Sequence, residues 1–452
     1  MSTPFSGLIR DRRLLPAVAL LGLLALPAAG SSEPGEPEPQ GLTLQKALAL
    51  AFEQNRDIQK ALEYRNYVEG KYVEERGAAL PQLIIQGSGL RQHDESTKAL
   101  FAGLYPDQQD VLSGQIGLSQ ALFTWGQVSS AIRAARHGRA VAEDQLRFYR
   151  QGVSRDVSAS FHNVLLAKEL ASLAEVNLEL KLRHADEARR KNEAGTATDY
   201  DVLAAEVSAE NARPELIRAR NLVRLARDHL GFLLAVKEDP VDAVGSLSCE
   251  IAPYPEYREA LDRARQHRPE LAEIDHRRKV VAEVVRIANA GDKPRLDFQG
   301  SYGWKQIRLE QLDTDGQTWQ AGLFLTFPVF DGLRSRGRVA QARSNFTTLQ
   351  IEEARLLDGI SLEVHKAVDA VREAAEIVKA ISGTVAQAER LLFMAEKGYE
   401  LGVKTHLDVE DAQFNLIQAK GSLARARRDY LVSGVTLEWV QGTLAEAPPA
   451  GP

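Results

Sequence analysis

The chain has 452 residues, of which 44% are hydrophobic and 26% charged, with a formal net charge of −6. This balance lacks the basic field that nucleic-acid binding requires, and a single cysteine excludes an intramolecular disulfide or a cysteine-based metal cluster. The mean hydropathy of −0.27 and the lack of long apolar runs after residue 30 exclude a protein that crosses a membrane with several helices.

The N-terminal segment, 1–30, has the layout of a secretory signal peptide. Three arginines within 10–13 precede an apolar run over 14–26, and small residues follow up to Gly30. We therefore expect export, cleavage after Gly30 and a disordered leader rich in proline and glutamate over 31–41. An N-terminal membrane anchor is the alternative, although the apolar run is short for a membrane span.

The rest of the chain is predicted to be two copies of one unit. Gly195 and Thr198 recur as Gly402 and Thr405 at one constant spacing. The first repeat (42–240) is predicted to have helices over 43–78, 126–191 and 199–236 and strands over 82–92 and 111–123. The second repeat (256–441) is predicted to have helices over 256–290, 333–398 and 405–440 and strands over 295–306 and 317–330. An equatorial linker (241–255) precedes it, and a C-terminal tail (442–452) follows it.

Proline spacing and a heptad pattern both favour long helices. Residues 107–213 and 329–447 contain no proline, which breaks helix interiors. Apolar residues follow a heptad pattern over 357–392, with alanine often in the paired position, so neighbouring helices can approach closely as in a coiled coil. We expect kinks at Pro214 and at its equivalent, Gly421.

The predicted strands alternate apolar and polar side chains, most clearly within 295–305 and 318–327. Segments of about ten such residues match membrane β-strands, and Trp304 and Trp319 suit the membrane interfaces. A soluble four-stranded sheet packed on helices is the alternative. Export and the long helical hairpins favour the membrane, where open strand edges must be paired by other chains.

Four motifs lie where strands return to helices and at the predicted helix–helix turns. They are A-L-F-T-W-G (121–126), P-V-F-D-G (328–332), E-A-G-T-A-T-D-Y-D-V-L-A-A-E (193–206) and G-Y-E-L-G-V-K-T-H-L-D-V-E-D-A (398–412). Together with the signal peptide and the repeated order of elements, they resemble the TolC family of outer-membrane efflux ducts over residues 41–441.

The resemblance implies an α+β membrane protein in the outer membrane of a Gram-negative bacterium. Its coiled-coil helices would form a periplasmic α-barrel, and its four strands would contribute to a twelve-stranded transmembrane β-barrel shared by a homotrimer. Such a protein is a passive exit duct of a tripartite efflux or type I secretion system, opened by a periplasmic adaptor (membrane fusion) protein and an inner-membrane transporter. It contacts outer-membrane lipid, binds no nucleic acid, needs no cofactor and is not an enzyme.

The resemblance also implies a gate at the helix–helix turns. Its residues in this sequence are Tyr399, Lys404, Asp408, Asp411 and, in the first repeat, Asp201. Lysine lacks the planar fork of the arginine found in the best-known member, so a weaker latch is expected at Lys404. Asp408 and Asp411 share one side of a helix, and in a trimer they would form a carboxylate ring that can hold a multivalent cation. Ordinary solvated charges at a helix end are the alternative.

The turns themselves are candidate contacts for the adaptor. The residues concerned are Gly195, Thr196, Ala197, Thr198, Gly402, Val403 and Thr405. Glycine can end a helix in the left-handed conformation, and Thr198 and Thr405 can cap the next helix. This purely structural role is an alternative to adaptor contact, although one turn can serve both.

Two other classes of protein compete with the duct. An enzyme is disfavoured because the nine histidines are scattered and no zinc-protease, nucleophile-elbow or phosphate-loop motif occurs. A periplasmic coiled-coil structural or adaptor protein is the remaining alternative, but it would not need the aromatic alternation over 295–327.

The segments 92–110 and 307–317 are predicted to be external loops.

Overall fold

The computed structural model describes residues 41–93, 108–236, 241–309 and 312–444. The predicted signal peptide, the leader up to residue 40 and the tail from residue 445 lie outside the described residues. In chain order the elements are α1 (Leu44–Gln54), α2 (Arg56–Gly77), β1 (Gln82–His93), β2 (Gln108–Phe123), α3 (Gln127–Glu193), α4 (Asp199–Leu234), α5 (Tyr257–His267), α6 (Pro269–Asn289), β3 (Arg295–Leu309), β4 (Leu312–Thr326), α7 (Arg334–Glu400) and α8 (His406–Gln441).

The two halves have helices of equal length in equivalent positions. Helices α3 and α7 have 67 residues each, and α4 and α8 have 36 residues each. At about 1.5 Å per residue, α3 and α7 each span roughly 100 Å. Helix α4 continues through Pro214, and α8 continues through Gly421, so neither predicted kink ends its helix.

The predicted helix over 43–78 differs from the structure, because it is divided at Asn55. This residue has extended backbone (ψ 131°), and its Oδ1 accepts hydrogen bonds from the N–H groups of Asp57 and Ile58 at 2.9 and 3.3 Å. Its Nδ2 donates to the carbonyl of Leu233 in the last turn of α4 at 2.8 Å. Asparagine thus starts α2 with its own side chain and anchors the break to another helix.

The predicted helix over 256–290 is also divided, at Arg268. The residue before a proline is driven towards extended backbone, and Arg268, which precedes Pro269, has ψ 123°. Its side chain is 4% exposed and forms ion pairs of 2.6 Å with Glu270 and Glu363. Gly442 lies against the break, where an added Cβ would lie 2.7 Å from the backbone nitrogen of Arg268.

The four strands form one antiparallel sheet in the order β1-β2-β3-β4, so β1 and β4 are its edges. Their register places Ile85, Ile116, Tyr302 and Trp319 in one row across the sheet. All four are exposed, from 45% for Ile116 to 78% for Ile85. One face of the sheet is therefore apolar and uncovered by the rest of the described chain.

The other face of the sheet is polar. Gln86 and Gln115 lie side by side on β1 and β2 and share an amide hydrogen bond of 2.9 Å. Ser88 and Ser113, two positions further on, pair through their hydroxyls at 2.8 Å. Because successive side chains of a strand point to opposite faces, the alternation in the sequence becomes an amphipathic sheet.

The strand ends differ from the prediction. Most of the predicted external loop over 307–317 is strand, because β3 continues to Leu309 and β4 begins at Leu312. Strand β4 ends at Thr326 instead of continuing to 330, since Pro328 cannot donate to the ladder. Strand β2 begins at Gln108, earlier than predicted, and residues 94–107 of the other predicted loop lie outside the described residues.

Three apolar clusters hold the described helices together, and the smallest joins Ala395 of α7 to Val409 and Ala412 of α8. In the first, Val157 and Val164 of α3 pack with Ala47 of α1 and Leu230 of α4, all 0% exposed.

None of the described helices combines the length and the apolar content that a membrane span requires.

The second cluster contains most of the predicted heptad seam of α7. Val364, Val371 and Val378 are buried there against helices that include α5 and α8. Leu357 was predicted on the same seam but is 40% exposed.

Candidate functional site

Two helix–helix turns of the same construction, residues 194–198 and 401–405, join α3 to α4 and α7 to α8. We call them the helical tips. At the first tip Gly195 has φ +73°, and its N–H donates to the carbonyl of Asn192 at 2.8 Å. The N–H of Thr196 donates to the carbonyl of Lys191 at 2.8 Å. These two bonds satisfy carbonyls that the end of α3 would otherwise leave unpaired.

The second tip repeats this geometry. Gly402 has φ +74°, and the N–H groups of Gly402 and Val403 donate to the carbonyls of Tyr399 and Gly398 at 3.0 and 2.9 Å. Here the turn folds back over its own helix, because a Cβ added at Gly398 would lie 2.5 Å from Cγ of Lys404. The helix-ending role predicted for Gly195 and Gly402 is confirmed.

Each following helix begins with a reciprocal cap. The hydroxyl of Thr405 accepts from the N–H of Asp408 at 3.2 Å, and the Asp408 carboxylate accepts from the N–H of Thr405 at 2.8 Å. Thr198 and Asp201 form the same capping box at the first tip. The capping predicted for both threonines is therefore confirmed.

The caps lower the pKa of both aspartates. Hydrogen bonds from the backbone and then the hydroxyl of Thr405, followed by one from Lys404, lower the pKa of Asp408 to about 2. The backbone and hydroxyl of Thr198 lower the pKa of Asp201 in the same way. A carboxylate that accepts several hydrogen bonds holds its charge more strongly.

The predicted gate residues are divided between two groups within one chain. Lys404 pairs with Asp408, at 3.2 Å between Nζ and Oδ1, and Asp201 belongs to the cap of the first tip. Asp411 is exposed and has no hydrogen-bond or ion-pair partner within the described part of the chain. Tyr399 contacts neither Lys404 nor these aspartates through a hydrogen bond in the described residues; its hydroxyl accepts one from Lys191 of α3.

Lys191 is the centre of a charged group that the sequence did not predict. Its Nζ lies 2.8 Å from a carboxylate oxygen of Glu187 and 5.2 Å from the ring centroid of Tyr399. Hydrogen bonds to Glu187 and then to Tyr399 raise the pKa of Lys191, and the bond from Lys191 lowers the pKa of Glu187. This group joins the α3–α4 hairpin to the α7–α8 hairpin.

Two histidines extend the same contact between the hairpins. His184 of α3 and His406 of α8 lie with ring centroids 4.5 Å apart, and the ring of Tyr399 lies 5.7 Å from that of His406. Together with Glu410, they are the group of described residues whose atoms could hold a metal ion. Only the packing of α3 on α8 reveals it, because 184 and 406 are far apart in sequence.

Exposed apolar side chains surround the helical tips. Leu401 and Val403 are 78% and 76% exposed, and Tyr200 and Leu407 just beyond the turns are 78% and 64% exposed. Contiguous exposed apolar groups with polar neighbours are typical of protein contact surfaces. The tips thus combine a hydrogen-bonded turn with several exposed apolar side chains.

The family model described as Outer membrane efflux protein matches residues 47–236 and 260–443. The chain therefore belongs to the outer membrane efflux protein family. Its location is the outer membrane, with a large helical part in the periplasm. Two separate segments, one in each half, carry the match.

Relatives and solved structures agree with this family. The chain is 22% identical to the outer membrane protein TolC of Vibrio cholerae over 380 residues, which cover 82% of this chain and 84% of that protein. It is 24% identical to the alkaline protease secretion protein AprF of Pseudomonas aeruginosa over 404 residues, covering 88% and 84% of the two chains. The Campylobacter jejuni CmeC outer membrane channel has the same fold, with a TM-score of 0.77, 18% identity and coverage of 93% and 94%.

Proposed function

We propose that the chain is one subunit of a homotrimeric exit duct through the outer membrane. The observation that carries this proposal is the amphipathic sheet with two open edges. Strands β1 and β4 have no partner on their outer sides within the described chain, and the apolar row from Ile85 to Trp319 is uncovered. Unpaired strand edges are very unfavourable in lipid, so neighbouring copies must supply the missing strands of a shared twelve-stranded barrel.

The helices then continue the passage into the periplasm. Helices α3 and α7 are long enough, at roughly 100 Å, to build a cylinder wall that ends at the helical tips. The polar face of the sheet, with its glutamines and serines, would line the water-filled interior. Such a duct performs no chemistry, and its cargo moves under the action of other components.

The gate of this duct is assigned to the helical tips and the contacts beside them. Within each chain the Lys191–Tyr399 bond joins the two hairpins, and Lys404 and the capping boxes fix the turn. Asp408 and Asp411, repeated by threefold symmetry, would supply a ring of carboxylates at the mouth. Asp408 is partly committed to its cap, so the exposed Asp411 is the residue more available to passing cations.

The partners proposed are a periplasmic adaptor and an inner-membrane transporter of a tripartite efflux or type I secretion system. The tip residues Gly195, Thr196, Ala197, Thr198, Gly402, Val403 and Thr405 would provide the adaptor contact. The exposed Leu401 and Val403 support a docking role, because these side chains are not needed for the caps. A periplasmic structural or adaptor protein is less well supported, since it would have no use for an uncovered apolar sheet face.

Planar bilayers test the duct and its gate together. Purified wild-type protein is expected to give cation-selective channels that multivalent cations block from the periplasmic side. Asp411→Asn, alone and with Asp408→Asn, should reduce both the selectivity and the block. Asparagine retains an oxygen for the cap of α8, so the turn should stay folded.

Arg308 lies at the end of strand β3 and not at the helical tips. Arg308→Gln is therefore the control for a changed charge elsewhere, and it should leave the block unchanged. A protein that gives no channels, or that salt releases from the periplasm without a heat-resistant trimer, would contradict the duct. Block that survives both aspartate changes would remove the carboxylate ring and leave the duct intact.

A further inference from the structure

The contact between α3 and α8 just below the helical tips contains two histidines and a glutamate with converging side chains. His184, His406 and Glu410 each offer one ligand atom, and these atoms lie within 4.8 Å of one another. Among the described residues, these three form the group of histidine and carboxylate side chains that lie close enough together to hold a metal ion. Neither the capping boxes nor the Lys191–Tyr399 bond uses these three side chains.

The donor set has the chemistry of a transition-metal site. Two imidazoles and one carboxylate suit Zn²⁺ and cations of similar softness, whereas Mg²⁺ and Ca²⁺ prefer oxygen ligands alone. Zinc bonds of about 2.0–2.2 Å require the three side chains to close slightly around the ion. The backbone can remain in place, because Ala185 and Val409 next to these residues are buried in the helix packing.

An unpaired nitrogen on His406 is a separate observation at the same place. Its Nδ1 is buried and has no hydrogen-bond partner among the described residues. Buried polar atoms are nearly always satisfied, so the protein alone leaves the hydrogen bonding of this ring incomplete, while its other nitrogen, Nε2, faces Glu410.

The surrounding charges permit a cation. The ammonium of Lys191 is nearby and unfavourable, but Glu187 holds it in an ion pair of 2.8 Å. Glu410 then provides a negative charge beside His406, at 3.8 Å between Oε1 and Nε2. The amide oxygen of Gln413 lies 3.1 Å from Nε2 of His184 and is an additional oxygen at the edge of the group.

We propose that His184, His406 and Glu410 bind a divalent transition-metal cation of the Zn²⁺ class and thereby tie the α3–α4 hairpin to the α7–α8 hairpin. The site differs from the carboxylate ring in ligand type and in position, because it lies within one chain. A ligand that binds only the joined arrangement stabilises that arrangement. If the proposed duct function holds, the cation therefore keeps the helical tips closed.

The binding test uses detergent-solubilised protein purified without a polyhistidine tag and stripped of metal. Titration calorimetry with Zn²⁺ alone should show one site per chain. His184→Ala, His406→Asn and Glu410→Gln should each weaken binding at least about tenfold, as expected when a metal site loses a ligand or a supporting group. Mg²⁺ should not compete.

The matched control is His365→Ala. His365 pairs with Asp369 at 3.4 Å on an exposed face of α7, so it is a histidine beside one carboxylate without a second histidine. Its loss should leave Zn²⁺ affinity unchanged. Thermal unfolding of every variant in a chelator verifies folding, and the conservative His406→Asn and Glu410→Gln provide folded variants if an alanine variant is unstable.

Absence of Zn²⁺ binding by the wild type, or binding that all three variants retain, would overturn the site. The closing role is measured separately, as channel conductance with and without Zn²⁺. Because Zn²⁺ could also block at the carboxylate ring, both proteins carry Asp408→Asn and Asp411→Asn, and one of them also carries His184→Ala. Zinc should reduce conductance only in the protein that retains His184. Binding at the site without an effect on conductance would overturn the closing role, while a protein without channels would overturn the duct and leave the binding result standing.

Discussion

At the residue scale, α3 buries a titratable histidine near its middle. His162 is 8% exposed, its Nδ1 lies 2.8 Å from the carbonyl oxygen of Ser158, and the ring of Phe161 is 5.9 Å away. Burial lowers the pKa of His162, against the smaller opposing effect of the Ser158 carbonyl. His162 in the folded protein therefore takes up a proton only at a lower pH than it does in the unfolded chain.

We predict that His162 makes the protein less stable in mild acid. The unfolded imidazole gains a proton below about pH 6.5, while the folded one does so only at lower pH, so stability falls as pH drops from about 6.5 towards the folded pKa. His162→Gln removes the titration, so the difference in urea midpoint between pH 8 and pH 5.5 should shrink. The exposed variant His365→Ala is the control, and an equal pH effect in His162→Gln and wild type would contradict the assignment.

At the element scale, the break between α1 and α2 depends on one side chain with two functions. Asn55 caps α2 through its oxygen and binds the carbonyl of Leu233 through its nitrogen. The second bond ties the beginning of α2 to the end of α4. The break is therefore a fixed joint between helices rather than a weak point within one helix.

We predict that Asn55→Ala lowers the free energy of unfolding by about 2 kcal/mol, because the cap is lost and a carbonyl loses its partner. Asn55→Asp keeps the capping oxygen but not the donor, so its loss should be smaller. Thr43→Ala is a control, since that cap rests on one long hydrogen bond of 3.4 Å. Urea unfolding of the solubilised protein measures all three, and equal losses for Asn55→Ala and Thr43→Ala would refute the double function.

At the scale of the whole molecule, the sheet and the helices have different surroundings. The helices bury apolar residues against one another, among them the fully buried Val157, Val164 and Leu230 of one cluster. The sheet leaves Ile85 and Trp319 almost fully exposed, at 78% and 77%. Apolar rows of this kind need a hydrophobic environment, which the proposed position of the sheet in the outer membrane would provide.

We predict that Ile85→Arg prevents normal insertion into the outer membrane. An arginine that faces lipid near the middle of the membrane costs about 2–4 kcal/mol in a β-barrel. Gln86→Arg is the neighbouring control on the polar face and should be tolerated. The amount of heat-resistant trimer in purified outer membranes measures both changes, and equal yields from the two variants would show that the sheet faces are assigned wrongly.

Local pattern in the sequence determined the helix content, the alternation of the strands and the construction of the helical tips. A left-handed glycine followed by a Thr-x-x-Asp box is complete within a few residues, so Gly195, Thr198, Gly402 and Thr405 could be assigned without tertiary information. The break at Arg268 was not predicted, although Pro269 after it is a local signal for extended backbone. The break at Asn55 was not predicted either, because asparagine is a common N-cap but its bond to the Leu233 carbonyl exists only in the tertiary structure.

Tertiary structure alone decided which side chains meet between the hairpins. Lys191 and Tyr399 are 208 residues apart, and His184 meets His406 only because α3 packs on α8 in one register. A hydrogen bond or a shared metal ion depends on distances of a few ångströms, which periodicity does not specify. The sequence therefore defined the turns, while the packing of the helices formed the group of residues beside them.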